Sequence, residues 1–179
     1  AVVEGLTSVF NEAVNLCSEN DEDEQYLMTF QSFLGRIPKW NNDIITTERK
    51  RIEDTTGCTY LEDLITCVHI IQLKALTCIR VGQKQKKIDI NIPSVDKFIH
   101  NVYINVAREF WKNPYLFYSE NLNPIDSQRN MRDCEKIIQD SIKNTIRKLL
   151  PVKHIIKEYL GEDCQDSIMT EDITSHFSS

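Results

Sequence analysis

Glycine and proline are scarce, five of each in 179 residues. A sandwich or barrel of many short strands needs turn residues at frequent intervals, so that class is excluded as the expectation. No apolar run approaches the ~20 residues that cross a bilayer. The six cysteines form no CxxC pair, which argues against a zinc knuckle and a thioredoxin-like site. A dinucleotide-binding glycine fingerprint, a P-loop, a nucleophile-elbow serine and an HExxH pair are all missing. With so few glycines a phosphate-cradling loop has little to be made from. Positive charge is also in deficit, with a formal net charge of −6, the wrong sign for a protein that binds nucleic acid by neutralising phosphates.

What is present is ordinary for a folded domain: 41% apolar and 27% charged residues, enough to bury a core and too apolar for wholesale disorder. The cysteines (Cys17, Cys58, Cys67, Cys78, Cys134 and Cys164) are scattered, and no Asn-x-Ser/Thr acceptor or signal-like N-terminus occurs. The expectation is reduced thiols in a cytosolic compartment. Ala1 in place of methionine points to a start that is processed or missing.

Helical periodicity dominates. Residues 3–17 place Val3, Leu6, Val9, Phe10, Ala13, Val14 and Cys17 on one stripe. The acidic patch SENDEDEQ then suits the entrance of a second helix carrying Tyr26, Leu27, Phe30, Phe33 and Leu34, which Gly35 and Pro38 end. A short polar helix over 41–55 closes at Gly57. Thr59 and Glu62 have the spacing of a capping box before a helix over about 60–81. Its stripe of Leu61, Leu64, Ile65, Val68, Ile71, Ala75, Leu76 and Ile79, with Ile70 and Leu73 outside it, makes that helix apolar round most of its circumference and the expected centre of the core. Ser94 caps a helix with Val95, Phe98, Ile99, Val102, Tyr103, Val106 and Phe110 on one side, stopped at Pro114. A loop rich in aromatics precedes a helix over about 127–149 with Met131, Cys134, Ile137, Ile138, Ile142, Ile146, Leu149 and Leu150. A short helix over 152–160 follows. The predicted fold is therefore all-α, a single domain over 1–161 of about six or seven helices, with at most one short strand or extended arm near 87–92 and a polar tail over 162–179.

No arrangement points to catalysis, and no catalytic, cofactor-binding or metal-binding residue is assigned. His69, His100, His154 and His176 lack partners at ligand spacing, and DEDEQ lacks the turn glycine of a calcium loop. Cys67 and Cys78, three turns apart, point the same way and suit packing. Basic groups cluster at Arg49 to Arg51, at Arg80 to Lys87 and at Lys143 to Lys157. They serve either as solvated helix faces or as a phosphate-contacting patch.

Two stretches, NIPSVDKFIHNVYINVAREFWKNPYLFY and QRNMRDCEKIIQDSIKNTIRKLLPVKHIIKEYL, resemble a helical virion protein family of nucleocytoplasmic large DNA viruses. The resemblance is strongest over about 86–160, weaker over 59–81, and does not place residues 1–58. It implies a non-enzymatic minor capsid protein, a cement or scaffold component that contacts the major and other minor capsid proteins, with contact between copies of itself also allowed. The same resemblance implies location in the virion and, during assembly, in the host cytoplasm or viral factory. The alternative is a viral nucleic-acid-associated or regulatory protein that uses the basic clusters.

In the first stretch, Tyr103, Trp111, Tyr115, Phe117 and Tyr118 exceed what one helix face and a short loop bury easily. Aromatics beside proline in a loop either anchor an interface or fold back on their own domain. These five are the candidate interface residues.

Overall fold

Polar side chains begin three of the helices, and each does so by the same device. In the computed structural model, which describes residues 1–20, 25–77, 92–118 and 122–152, the Asn41 carboxamide oxygen accepts from the Ile44 N–H at 2.9 Å. Ser94 Oγ accepts from Lys97 N–H at 3.3 Å, and Asn123 Oδ1 accepts from Asp126 N–H at 2.8 Å. An aspartate stands in each first turn, Asp43, Asp96 and Asp126, where the helix dipole favours negative charge. These caps open α3 (Asn42–Thr56), α5 (Val95–Lys112) and α6 (Pro124–Leu149). The others are α1 (Val2–Glu19), α2 (Tyr26–Arg36) and α4 (Leu61–Thr77), with short 3-10 turns over Ile37–Lys39 and Pro114–Phe117.

The chain is all-α, a single domain of six α-helices among the described residues, as expected. Residues 78–91, where a strand or arm was expected, lie outside the described residues, as do most of the acidic patch at 21–24 and everything after Val152. Gly57 ends α3 at φ +64°, the left-handed cap that glycine adopts without a Cβ penalty. Gly35 does not end α2, which runs one residue past it. Pro38 is accepted in the following 3-10 turn, where its missing N–H costs no bond. The last helix starts at Pro124, earlier than its apolar period suggests, because proline fits the first turn behind Asn123. α4 starts at Leu61, with the Tyr60 carbonyl accepting from Leu64 N–H at 3.0 Å, one residue later than a Thr59 cap would set it.

α5 occupies the middle. Val95, Ile99, Val102, Tyr103, Val106, Ala107 and Phe110 are all buried, and α2, α3, α4 and α6 all pack on it. α1 lies against α2 and supplies Leu6, Phe10 and Ala13 to the same cluster. α6 runs antiparallel to α5: Asn105 Nδ2 donates to Thr145 Oγ1 at 2.7 Å near one end, and Cys134 packs at Leu116 near the other. Ser141 and Thr145 are buried on this seam, and Thr145 Oγ1 donates to the Ser141 carbonyl at 2.8 Å. Met131, expected inside, is half exposed.

The expectation for α4 fails. This helix is peripheral, and it buries Ile65, His69 and Leu73, spaced by four. Most of the stripe read as core faces out: Leu64 is 46%, Ile71 62% and Leu76 39% exposed. Apolar content alone did not decide the matter, because α5 offers room for only one narrow ridge of α4. Cys67, read as packing, is exposed as well.

Candidate functional site

The residues proposed as interface anchors divide into two groups. Asn113 leaves the helical region at the end of α5 (φ −133°, ψ 54°), and its Nδ2 donates to the Glu109 carbonyl at 3.1 Å. The 3-10 turn after Pro114 then swings the chain back over the core. Leu116 becomes buried and the Phe117 ring enters a cluster with Phe110 at 4.8 Å, Phe30 at 5.3 Å and Phe10 at 6.0 Å between centroids. Tyr118 stacks on Tyr26 at 5.8 Å. Phe117 and Tyr118 are therefore spent largely on their own domain, the second of the two roles open to them. Tyr103 is 1% exposed and cannot present its ring to a partner. The sequence could not settle this, because Phe10, Tyr26 and Phe30 arrive from helices more than 70 residues upstream.

Trp111 and Tyr115 remain outside, 52% and 55% exposed. Trp111 forms one wall of a groove of about 330 Å³ between α2 and α5, lined also by Leu34, Gly35, Pro38, Ile104, Ala107 and the stem of Arg108. Gln31 Nε2 donates to the Trp111 carbonyl at 2.7 Å and ties the two helices together at this end. A Cβ placed on Gly35 would meet no heavy atom within 4 Å, so the missing side chain leaves that wall open. Lys112 and Glu109 pair at 2.9 Å on the rim. An apolar trough, an exposed indole and a charged rim are what a buried anchor side chain of a partner requires. Gly35 and Pro38 were legible as punctuation; that they face Trp111 was not.

A second cleft of about 430 Å³ lies between α1 and α3, with Trp40 and Tyr103 in its lining. Here Arg51 binds Glu48 with two bonds, Nε to Oε2 at 2.9 Å and Nη2 to Oε1 at 2.6 Å, and Nη2 also donates to the Ala1 carbonyl at 2.7 Å. The Tyr103 hydroxyl donates to Glu48 Oε1. Burial, then the Glu48 carboxylate, hold the Tyr103 phenol well above its ordinary range. The hydrogen bond to Glu48 likewise raises Arg51. A phenol that stays protonated and a guanidinium that stays charged make a clamp between α3 and α5, not an acid–base pair poised near neutrality. Gly5 lets α1 close over it: a Cβ there would come within 2.7 Å of Arg51 Nη2 and 2.8 Å of both Glu48 Oε1 and Tyr103 Oη.

Neither described histidine stands in a ligand set, and among the described residues no cluster could hold a metal ion. His69 is buried, with Nδ1 2.8 Å from the Ile65 carbonyl and its ring edge-on to Phe98. His100 Nε2 lies 2.9 Å from the Ile37 carbonyl and its ring stacks on Trp40. Each of those nitrogens must carry its proton to bond a carbonyl.

Carboxylates answer much of the basic charge. Arg49 Nε reaches Asp96 at 2.8 Å, Arg51 is held by Glu48, and Lys143 meets Asp140 at 3.4 Å. Lys148 Nζ donates to Asn105 Oδ1 at 2.9 Å. The cluster at Arg80 to Lys87 and the lysines at 153 and 157 lie outside the described residues.

Cys67 is exposed, whereas Cys134 is buried and burial pushes its thiol up to about 11. At pH 8, iodoacetamide should modify Cys67 promptly and leave Cys134 untouched until denaturant is added, as peptide mass spectrometry would reveal. Because the folded value is the higher one, the stabilising effect of Cys134 is whole below pH 9 and is lost as pH rises to about 11. Equal labelling of the two thiols would mean that α6 does not close over the 114–117 turn.

Among the described residues no helix is long and apolar enough to cross a membrane. A family model described as "Family of unknown function (DUF5764)" matches residues 1–118 of the 179. It thus takes in α1 to α5 and the groove, including residues 1–58 that the resemblance left unplaced. No curated protein and no solved structure matches the chain.

Proposed function

The chain belongs to the Family of unknown function (DUF5764), and on the resemblance of residues 86–160 and the groove beside Trp111 we propose that it is a non-enzymatic structural protein of a virion. In this reading it is a minor capsid component that holds capsid proteins together, and the groove beside Trp111 is its point of attachment. The observation that carries the protein-binding part is the half-exposed indole at the edge of an apolar trough about 330 Å³ in volume. A large aromatic left in water next to a site that would bury it is stabilised only when something fills that site. The resemblance of residues 86–160 to virion proteins supports the choice of partner, the major and other minor capsid proteins. Weak grooves of this size suffice in a shell, because symmetry multiplies each contact.

Quantitative mass spectrometry of purified virions after a high-salt wash tests the reading. The expected result is this chain in fixed proportion to the major capsid protein, with Trp111→Ala reducing its incorporation at least ~10-fold, as for a central hot-spot aromatic. Loss of the wild-type chain in the wash, or its absence from the particle, would overturn the capsid role. Binding of the purified chain to DNA with a steep salt dependence would instead support the nucleic-acid alternative.

A further inference from the structure

The seam between α5 and α6 holds polar side chains that the packing leaves unused. Ser141, Asn144 and Lys148 recur along α6 in steps of three and four, on one face, and with Asn105 and Arg108 of α5 they line a cleft of about 350 Å³. Asn105 is fully engaged: its Nδ2 donates to Thr145 Oγ1 at 2.7 Å, and its Oδ1 accepts from Lys148 Nζ at 2.9 Å, which holds the ammonium beside the cleft. Ser141 is only 4% exposed, and its carbonyl accepts from Thr145 Oγ1. Its hydroxyl has no partner among the described residues, whereas a buried hydroxyl ordinarily has one. Arg108 and Asn144 are exposed and make no side-chain hydrogen bond or ion pair among the described residues. Two carboxylates share the lining, Glu109 and Asp140, and each already holds a lysine, Lys112 at 2.9 Å and Lys143 at 3.4 Å. With those lysines counted, Arg108, Lys148, Lys112 and Lys143 stand against two carboxylates, a local cationic surplus in a chain of net charge −6.

We propose that this cleft binds a small sugar phosphate, its phosphate held by Arg108 and Lys148. A guanidinium fork and an ammonium supply charge-assisted donors, while the Asn144 carboxamide and the Ser141 hydroxyl supply neutral ones. Four donors of these kinds suit the three free oxygens of a phosphate monoester better than a lone carboxylate. The ligand also gives the buried Ser141 hydroxyl the partner that the fold denies it. At about 350 Å³ the cleft has room for a phosphate and a body of about the size of a sugar, the low end of ligand pockets. Glu109 and Asp140 keep lone pairs that accept from hydroxyls and repel a second anion. The body is therefore a polyol with a single phosphate. A nucleic-acid strand draws its affinity from many phosphates in a row, and this cleft has cations for one. Trp111 is not part of this lining, although Arg108 borders both the cleft and the groove.

Titration of the full chain, labelled with nitrogen-15, with glucose 6-phosphate tests the proposal by NMR. The expected result is saturable binding with a Kd of about 1 mM or tighter, and shifts in the side-chain amide signals of Asn105 and Asn144. Inorganic phosphate should compete, and glucose alone should not bind. Lys148→Gln should weaken binding at least ~10-fold and Ser141→Ala about 2–10-fold, the worth of a charge-assisted and of a neutral hydrogen bond. Circular dichroism should show both variants folded, since Lys148 is exposed and Ser141→Ala removes only an unbonded hydroxyl. Trp111→Ala should bind the sugar phosphate as the wild type does, so this site and the groove fail separately. No saturation up to about 10 mM, undiminished binding by the folded Lys148→Gln chain, or shifts confined to residues away from the α5–α6 seam would each overturn the site. Tighter binding of a single-stranded DNA oligonucleotide at the same residues, with a steep salt dependence, would overturn the sugar phosphate and assign these cations to nucleic acid.

Discussion

Phe117→Ala should lower the unfolding free energy by about 3 kcal/mol, the lower end of what truncating a core phenylalanine costs, although residue 117 lies in a turn between helices. The reason is its position among Phe110, Phe30 and Phe10. These rings come from α5, α2 and α1, so the side chain joins three helices at once. Removing it leaves a gap among three rings that are each fixed on a different helix, so the site collapses only in part. For a chain of this length the loss corresponds to a fall of roughly 6–12 °C in Tm. Tyr115→Ala, two residues earlier and 55% exposed, should stay within about 0.5 kcal/mol of wild type. Urea unfolding of the two variants checks both numbers. Similar, small losses for the pair would mean that the 114–118 segment does not fold back on the core and is free to act as an interface loop.

The second large effect is expected at Glu48. Glu48→Ala removes the acceptor of the buried Tyr103 hydroxyl and the bidentate partner of Arg51. A buried hydroxyl without its partner costs about 1–3 kcal/mol, and the released guanidinium adds less because it lies partly in solvent. The expected loss is about 2–3 kcal/mol. Gly5→Ala should cost about 1–3 kcal/mol by overpacking, because the new methyl would press on all three members of the clamp. The two losses should not add. With the Glu48 carboxylate gone, one of the three close contacts of the new methyl is gone too, so Gly5→Ala should cost less in that background; a double-mutant cycle by urea unfolding reads the difference. Full additivity would mean that α1 does not close on the clamp. The direction with pH is also set. Because the fold raises the Tyr103 phenol above its ordinary value of 10.0, its contribution is whole below about pH 10 and is lost as pH rises further.

Helix type and helix ends were legible in the residues, since both depend on short-range chemistry. Ser94, Asn113–Pro114 and Gly57 act where they stand, through a side-chain bond, a steric clash or a left-handed backbone. α5 follows its apolar stripe almost residue for residue. The functional surface was legible only in part. Trp111 and Tyr115 could be named as aromatics with a claim to the surface, but Tyr103 of the same set is buried, and Phe117 and Tyr118 are partly buried against the core. Nothing near them in the chain separates the two groups. The groove depends on Gly35 and Pro38 standing opposite Trp111, a pairing made across more than 70 residues by the packing of α2 on α5.

The sequence by itself determined an all-α chain, the caps and stops of its helices, and the absence of familiar catalytic motifs, because each of these is a matter of composition, period or immediate neighbours. Tertiary structure decided which apolar stripe is core. α4 has the most continuous hydrophobic pattern in the chain, yet α5, with a cleaner two-sided pattern, took the centre and left α4 one ridge to bury. Periodicity states how many faces a helix could bury. Only the number of neighbours it receives decides how many it does.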